Sequence, residues 1–149
     1  MRIDAEGTWY YRGSPIRRQE LVKLFATVLR READGSYWLV TPAERGRIEV
    51  EDAPFVAVDC EARGEGRQQQ LDFTTNLDQR VTAGPEHPLR VGAGDGEPRP
   101  YLLVRPGLEA LIARPVFYRL AEMAVASPED PEALGLWSGG RFFPLGRAA

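Results

Sequence analysis

The chain has 149 residues, of which 43% are hydrophobic and 28% are charged, and its formal net charge is −3. This length fits one globular domain or two small ones that share a core, and the acidic balance argues against a strongly basic nucleic-acid-binding face. The single cysteine, Cys60, excludes an internal disulfide and argues against a structural zinc site.

The first helix is predicted from the spacing of apolar residues in the segment 16–31. They fall three or four positions apart and cover one face, with Phe25 at its centre. Ser14 suits the N-cap and Pro15 the first helical position, where its missing N–H costs nothing. We therefore expect a helix that follows a short strand over residues 7–12 and buries Phe25.

The stretch 37–58 carries apolar residues in runs and alternations that are typical of β-strands. Breaks at Pro42, Gly46 and Pro54 predict a strand, a tight turn, a second strand, a sharp corner and a third strand. The rest of the chain predicts short strands, a helical segment broken by a proline, and a C-terminal hairpin. In order, these cover residues 71–75, 89–91, 101–104, 108–123 and 136–145.

A faint repeat relates the two halves of the chain at a spacing of 34 residues. It places Thr41 on Thr75, Glu44 on Asp78, Pro54 on Pro88 and Phe55 on Leu89. We interpret the chain as two duplicated β-rich units, each with a helix, over residues 1–66 and 67–149. The expected fold class is α+β, with the two units packed together as one compact body.

The sequence also predicts several absences. The N-terminal residues lack the apolar run of a signal peptide, and no apolar stretch approaches the length needed to cross a bilayer. The glycine-rich segment 92–98 lacks the strand-to-helix setting in which glycines cradle a phosphate, and it is predicted to be a flexible loop. We therefore expect a cytoplasmic protein with no cofactor, no membrane contact and no nucleic-acid partner.

Five segments resemble one bacterial family, catalogued as domain of unknown function 1285, and the resemblance extends over residues 3–145. They are Pro15-Ile16-Arg17, Leu39-Val40-Thr41-Pro42-Ala43-Glu44, Val50-Glu51-Asp52-Ala53-Pro54-Phe55, Tyr101-Leu102-Leu103-Val104-Arg105 and Arg114-Pro115-Val116-Phe117-Tyr118. The resemblance implies a duplicated α+β core whose C-terminal half is loosely similar to pleckstrin-homology-like folds. It also implies a groove between the halves that holds a nucleotide-like ligand, with a role in signal transduction. No activity is established for that family.

Three arginines lie next to predicted helix starts, where they suit an anionic ligand. Arg17 is in the first turn of the first helix, Arg105 ends a strand before a helical pattern, and Arg114 precedes Pro115. Guanidinium groups beside free backbone N–H donors favour a phosphate or a carboxylate, although ordinary ion pairs with the many acidic residues are the alternative. Together with the implied groove, they predict a small anionic, nucleotide-like ligand between the two units.

Four polar residues occupy the matching turns of the proposed repeat: Thr41, Glu44, Thr75 and Asn76. They either line the cleft or simply cap turns. The single histidine, His87, completes the set of candidate ligand-binding residues. A histidine in a proline-flanked turn is more often a surface or corner residue than a general base.

The leading hypothesis is a non-enzymatic binding module, with no catalytic residue and no metal ligand assigned. The first alternative is an enzyme that acts on a small phosphorylated substrate at the same cleft, using His87 with Glu44 or Glu86. The second is a protein-interaction domain that presents the C-terminal helix and the Trp137 hairpin. The oligomeric state is left open.

Overall fold

The computed structural model describes residues 1–92 and 97–147, which form a mostly β structure with two helices. Most of the predicted glycine-rich loop, residues 93–96, lies outside the described residues. Two six-stranded sheets and one three-stranded sheet contain the strands of the described ranges. Neither helix is long and apolar enough to cross a membrane.

The first sheet is formed by the N-terminal third of the chain, in the strand order β3-β2-β1-β6-β5-β4. Neighbouring strands are antiparallel except at the centre, where β1 and β6 are parallel. Helix α1 (Gln19–Thr27) connects β3 to β4. The strands are β1 (Arg2–Ile3), β2 (Trp9–Tyr11), β3 (Ser14–Pro15), β4 (Leu29–Arg31), β5 (Tyr37–Val40) and β6 (Arg45–Val50).

The second sheet repeats this topology with the next six strands, in the order β9-β8-β7-β12-β11-β10. Again the first and last strands of the unit, β7 and β12, form the central parallel pair. Helix α2 (Arg114–Met123) follows β12. The strands are β7 (Phe55–Arg63), β8 (Gln70–Thr75), β9 (Arg80–Thr82), β10 (Leu89–Gly92), β11 (Arg99–Arg105) and β12 (Leu108–Ile112).

The predicted duplication is confirmed by the two matching sheets, but the predicted spacing of 34 residues is wrong. The parallel pairs Ile3–Val50 and Ala57–Ile112 occupy equivalent positions. Thr41, by contrast, follows the fifth strand of the first unit, whereas Thr75 ends the second strand of the second. A few residue types dominate turns, so two turns can share residues without occupying equivalent positions in a repeat.

The start of the first unit also differs from the prediction. Arg12 and Gly13 both have positive φ, 51° and 80°, and join β2 to β3 in a two-residue hairpin that pairs Tyr11 with Ser14. Two positive-φ residues form the turn type that matches the natural twist of a β-hairpin. Ser14 therefore belongs to a strand and not to a helix cap, and α1 begins only at Gln19.

The two helices are not equivalent, because α1 lies within the first unit and α2 after the second. The buried face of α1 is formed by Val22 and Ala26, while Phe25 is half-buried and stacks on Trp9 with 6.3 Å between ring centroids. Leu24 is 62% exposed, so the apolar face is narrower than the sequence pattern indicated.

The C-terminal residues form the third sheet, of β13 (Val125–Ala126), β14 (Ala133–Ser138) and β15 (Arg141–Arg147). The predicted hairpin at Trp137 is confirmed as β14 and β15. The Ser138 hydroxyl is fully buried, donates to the carbonyl oxygen of Ala83 at 2.7 Å and accepts from the N–H of Leu71 at 2.9 Å. These bonds hold the third sheet against the second unit.

The change from the first sheet to the second comes just before Phe55. The boundary predicted between residues 66 and 67 lies inside the β7–β8 hairpin of the second sheet. One continuous core, which includes Ile3, Trp9, Phe55 and Phe73, extends across both units.

Asn76 forms four hydrogen bonds, of which two, to Gly7 and Gln19, join the second unit to the first. Its side-chain oxygen accepts from the N–H of Val56 at 3.0 Å, and its side-chain amide donates to the carbonyl of Gly7 at 3.3 Å. Its backbone N–H donates to the carbonyl of Val56 at 2.8 Å. Its backbone carbonyl accepts from the side-chain amide of Gln19, in α1, at 2.9 Å. The turn at Gly7, the start of β7 and helix α1 therefore meet at one residue.

We predict that Asn76→Ala lowers the free energy of unfolding by roughly 2–4 kcal/mol, because it leaves the N–H of Val56 and the carbonyl of Gly7 without their partners. Both residues are buried, so water does not readily replace the lost amide. Chemical denaturation of the variant and the wild type measures the difference.

The control is Asp78→Asn in the same turn. It retains a side chain that tolerates the positive φ of 63° and removes only the exposed ion pair with Lys23. That loss should cost at most about 1 kcal/mol. Equal destabilisation by the two variants would show that Asn76 does not join the units.

Candidate ligand site

The first turn of α2 offers backbone donors that no side chain caps. Ala113 is the N-cap, it has no capping side chain, and the first turn contains no acidic residue. The first bond of the helix runs from the N–H of Phe117 to the carbonyl of Ala113 at 2.9 Å. The N–H groups of Arg114 and Val116 precede that bond, so they lie at the positive end of the helix dipole.

A cavity of about 390 Å³ opens at this helix start, and we call it the α2 cavity. Its walls are mostly apolar and include two aromatic rings, and its polar groups are two arginines and one glutamate. Tyr118 is 54% exposed, so one aromatic surface is available to a ligand. The cavity is lined by Glu97, Pro98, Arg99, Pro100, Leu111, Ile112, Ala113, Arg114, Phe117 and Tyr118.

Arg99 is held in place by Asp52 and Tyr101. Its Nη2 donates to Asp52, and its Nε donates to the Tyr101 hydroxyl at 3.3 Å, while that hydroxyl donates to Asp52 at 2.6 Å. The hydrogen bonds to Tyr101 and Asp52 raise the pKa of Arg99, and burial followed by the bond to Asp52 raises the pKa of Tyr101. Arg99 is thus a fixed positive charge.

Tyr101 is itself braced by a second ion pair. Arg90 donates from Nε and Nη2 to the two carboxylate oxygens of Glu109 at 2.7 and 2.8 Å. Its guanidinium lies 4.4 Å from the centroid of the Tyr101 ring. The bidentate pair with Glu109 fixes Arg90, and Arg90 in turn restricts the Tyr101 ring on which it stacks. Because Arg99 donates to the Tyr101 hydroxyl, its position is restricted as well.

Arg114 is, by contrast, loosely held. It pairs with Glu97 at 2.7 Å, but the two side chains are 65% and 63% exposed. Exposed pairs of this kind contribute at most about 1 kcal/mol, so an incoming anion can displace Glu97. The α2 cavity therefore has one fixed and one exchangeable guanidinium.

A smaller cavity of about 200 Å³ lies between the two units, and we call it the inter-unit notch. It is lined by Lys23, Ala26, Thr27, Leu77, Gln79 and Arg105. Arg105 donates from Nη2 to the carbonyl of Ala26 at 2.8 Å, near the C-terminal end of α1. Burial, with a contribution from Arg30, lowers the pKa of Arg105. Its Nε is buried without a hydrogen-bond partner among the described residues.

Arg105 and Arg114 do not converge as predicted, because they lie at opposite ends of β12 and line different cavities. Arg17 is exposed in the segment before α1. The helix start predicted after Arg105 is strand β12, so Arg105 lies beside a β-turn and has no helix N-terminus next to it.

Thr75 stabilises the β8–β9 turn, and Asn76 forms hydrogen bonds to the first unit. Thr75 is 1% exposed. Its hydroxyl donates to the side-chain oxygen of Gln79 at 2.7 Å and accepts from the N–H groups of Leu77 and Gln79 at 3.2 Å each. Its hydrogen-bonding capacity is used within the β8–β9 turn. Both residues adjoin the inter-unit notch through Leu77 and Gln79.

Thr41 and Glu44 lie in the β5–β6 turn, at a separate cavity of about 390 Å³. The Thr41 hydroxyl donates to the carbonyl of Glu44 at 3.1 Å and accepts from its N–H at 3.2 Å, which closes the turn. The two turns that were predicted to match thus face different cavities.

His87 is half-buried beside a further cavity of about 330 Å³. Its Nδ1 lies 3.0 Å from the carbonyl oxygen of Leu103, to which it donates a hydrogen bond, because a carbonyl oxygen can only accept. Glu86 lines the same cavity, whereas Glu44 lines another. Cys60 does not offer a nucleophile, because burial raises the pKa of its thiol to about 12.

Comparison with known proteins divides the chain into the same two units as the two six-stranded sheets do. Residues 1–53 match the N-terminal domain of the unknown-function family DUF1285, and residues 54–145 match its C-terminal domain. The chain belongs to the DUF1285 family. The boundary between the two matched domains falls where the first sheet gives way to the second. A search of curated proteins found no match.

Two solved DUF1285 structures resemble this one. The protein from Silicibacter pomeroyi DSS-3 is 48% identical, with a TM-score of 0.91 over 99% of this chain and 79% of that chain. The protein from Shewanella baltica OS155 is 31% identical, with a TM-score of 0.62 over 81% of this chain and 89% of that chain.

We predict that Arg105→Ala lowers the free energy of unfolding by about 1–3 kcal/mol, the usual worth of a charged hydrogen bond to a carbonyl. Arg17→Ala is the matched control, because Arg17 is exposed and should change stability by less than about 0.5 kcal/mol. Thermal and chemical unfolding compare the two variants. A stable Arg105→Ala protein would show that the contact with Ala26 is not structural.

Proposed function

We propose that this DUF1285 protein is a cytoplasmic binding module for a small anionic, nucleotide-like ligand, and that the ligand occupies the α2 cavity. The observation that supports this most strongly is the combination, in one cavity, of an uncapped helix start, two guanidiniums and aromatic walls. A role in signal transduction and a likeness of the second unit to pleckstrin-homology-like folds remain parts of this proposal. The helix that follows the second sheet is consistent with that likeness.

Size favours the α2 cavity over the inter-unit notch. Ligand sites usually have volumes of about 300–1,000 Å³, a range that includes 390 Å³ and excludes 200 Å³. Arg105 in the notch is also already bound to the carbonyl of Ala26. The proposal therefore places the ligand in the second unit and not in the groove expected between the units.

The charges suggest how the ligand is oriented. Its phosphate or carboxylate would lie at the helix start, where it accepts from the N–H groups of Arg114 and Val116 and from the Arg114 side chain. The base-like ring would lie against Tyr118 and the apolar wall, since an exposed aromatic face stacks readily on a flat ring. Arg99, fixed by Asp52, supplies the second positive charge.

We predict that Arg114→Ala weakens the binding of nucleoside monophosphates by roughly 1.5–3 kcal/mol, the worth of a charge-assisted hydrogen bond. Glu97→Gln should strengthen binding by up to about 1 kcal/mol, because it removes the carboxylate that competes for Arg114. Isothermal titration with a panel of nucleoside monophosphates and the corresponding nucleosides measures both changes.

Arg80→Ala is the control, because Arg80 forms a similarly exposed pair with Glu61, at 3.8 Å and with 63% and 74% exposure, away from the α2 cavity. It should bind the panel as the wild type does. The proposal fails if no monophosphate binds, if nucleosides bind as tightly as monophosphates, or if Arg80→Ala weakens binding as much as Arg114→Ala.

A further inference from the structure

The first half of strand β6 has a neighbouring strand on one side only. Residues 45–48 pair with β5, whereas β1, which begins at Arg2, pairs only with Glu49 and Val50. Among the described residues, no strand lies beside residues 45–47 on the β1 side, and all three of these residues are exposed. We call residues 45–47 the β6 edge.

The register of the sheet shows which backbone groups face the gap beside this edge. The N–H of Thr41 donates to the carbonyl of Glu44 at 2.9 Å, so the even-numbered residues of β6 bond to β5. The odd-numbered residues point the other way, and the N–H of Glu49 donates to the carbonyl of the first residue at 3.2 Å. Arg45 and Arg47 therefore present two N–H groups and two carbonyls to the gap. No backbone hydrogen bond uses these groups within the described ranges.

A cavity of about 390 Å³ lies where β1 would continue along the β6 edge, because Met1 and Tyr11 line it together with that edge. Gly46 has no positive φ, and no atom lies within 4 Å of the position that a Cβ would occupy. Glycine in a strand often marks the close approach of another backbone. The remaining apolar walls are formed by Phe25, Val28 and Leu39.

Alternation along β6 separates an apolar face from a charged face. Ile48 is buried, so Gly46 lies on the core side of the sheet, whereas Arg45 and Arg47 project from the opposite side. Arg45 pairs with Glu32 at 2.7 Å. Arg47 forms no ion pair with any residue that the structure describes.

Positive charge exceeds negative charge around the edge. The Arg12 guanidinium lies 5.2 Å from the centroid of the Tyr11 ring, which lines the cavity. Glu44 is the one carboxylate among the lining residues, and it faces the guanidiniums of Arg12, Arg45 and Arg47. Because Glu32 neutralises only Arg45, the edge attracts an acidic partner.

The same charges disfavour a second copy of the chain as the partner. Two copies that paired through their β6 edges would bring Arg45 and Arg47 of both copies together, and like charges opposite each other destabilise a strand pair. An extended peptide with acidic side chains avoids this repulsion. Such a peptide binds through its main chain, and its alternate side chains give the specificity.

We propose that the β6 edge binds an acidic segment of another protein, in extended conformation, as an added strand. The residue of that segment opposite Gly46 is apolar and enters the cavity. The residues on either side of it are Glu or Asp, and they lie beside Arg45 and Arg47. This surface belongs to the first unit and is separate from the α2 cavity, so the two assignments can fail independently.

The test uses three capped peptides: acetyl-Ser-Glu-Ile-Glu-Ser-amide, a second with Lys in place of both Glu, and a third with Ser in place of Ile. In an NMR titration we expect the first to bind saturably and at least about fivefold more tightly than the other two. The bound peptide should slow the exchange of the Arg45 and Arg47 amide protons with solvent. The amides of Gly46 and Ile48, which already face β5, should change little.

Arg47→Glu should lower the affinity for the Glu peptide at least about threefold and raise the affinity for the Lys peptide. The variant should stay folded, because Arg47 is exposed. Arg141→Glu, at an exposed arginine of β15 in the third sheet, is the matched control and should bind as the wild type does.

The proposal is overturned if no peptide binds, if the Glu and Lys peptides bind equally, or if Arg141→Glu weakens binding as much as Arg47→Glu. Binding without slower exchange at Arg45 and Arg47 also overturns it, because charge attraction alone would then explain the affinity. Protection of these two amides that rises with protein concentration, without peptide, would assign the edge to a second copy and overturn it as well.

Discussion

The hydrogen bonds of Asn76 are the constraint on which the arrangement of the two units depends. The side chain is held between Gly7 of the first unit and Val56 of the second. Gly7 has a φ of 88°, and a Cβ there would lie 2.6 Å from the Asn76 amide nitrogen. A side chain at that position would therefore both strain the turn and displace the amide.

The same contact also positions the α2 cavity. Val56, which Asn76 holds through its N–H and its carbonyl, is followed by Ala57, whose carbonyl accepts from the N–H of Ala113 at 3.0 Å. Ala113 is the N-cap of α2. Two adjacent residues of β7 therefore connect the contact between the units to the candidate anion site: Val56 binds Asn76, and Ala57 binds the N-cap of α2. Asp52, in the segment between the sheets, fixes Arg99 on the other side of the cavity.

The sequence predicted those features that local chemistry decides. The duplication and the Trp137 hairpin were expected from the sequence, and both are present. The helical segment predicted over residues 108–123 is a helix only from Arg114 onward, because residues 108–112 form strand β12. Which residues of the two units are equivalent could not be predicted from the sequence, because the same turn residues recur between strands that are not equivalent. The hairpin before α1 was also not predicted, because Arg12-Gly13, between Tyr11 and Ser14, was interpreted as the end of a strand followed by a helix cap.

The residues around the candidate site were harder to predict than the fold. Arg114 was identified from its place before a proline, a local signal. Arg99, Asp52 and Tyr101 were missed because their partnership joins β11 to a segment about 50 residues earlier, and no local pattern marks such a contact. Arg105 was assigned to a helix start that is a strand, so its contact with the carbonyl of Ala26 could not be anticipated.

The most direct test of the central claim, that the start of α2 is the anion site, is a two-dimensional ¹H–¹⁵N NMR titration of the wild type with a nucleoside monophosphate. We expect saturable shifts that are largest at the backbone amides of Arg114 and Val116. Saturable shifts centred on the inter-unit notch, at Lys23, Thr27 and Gln79, would contradict it, as would the absence of any saturable shift.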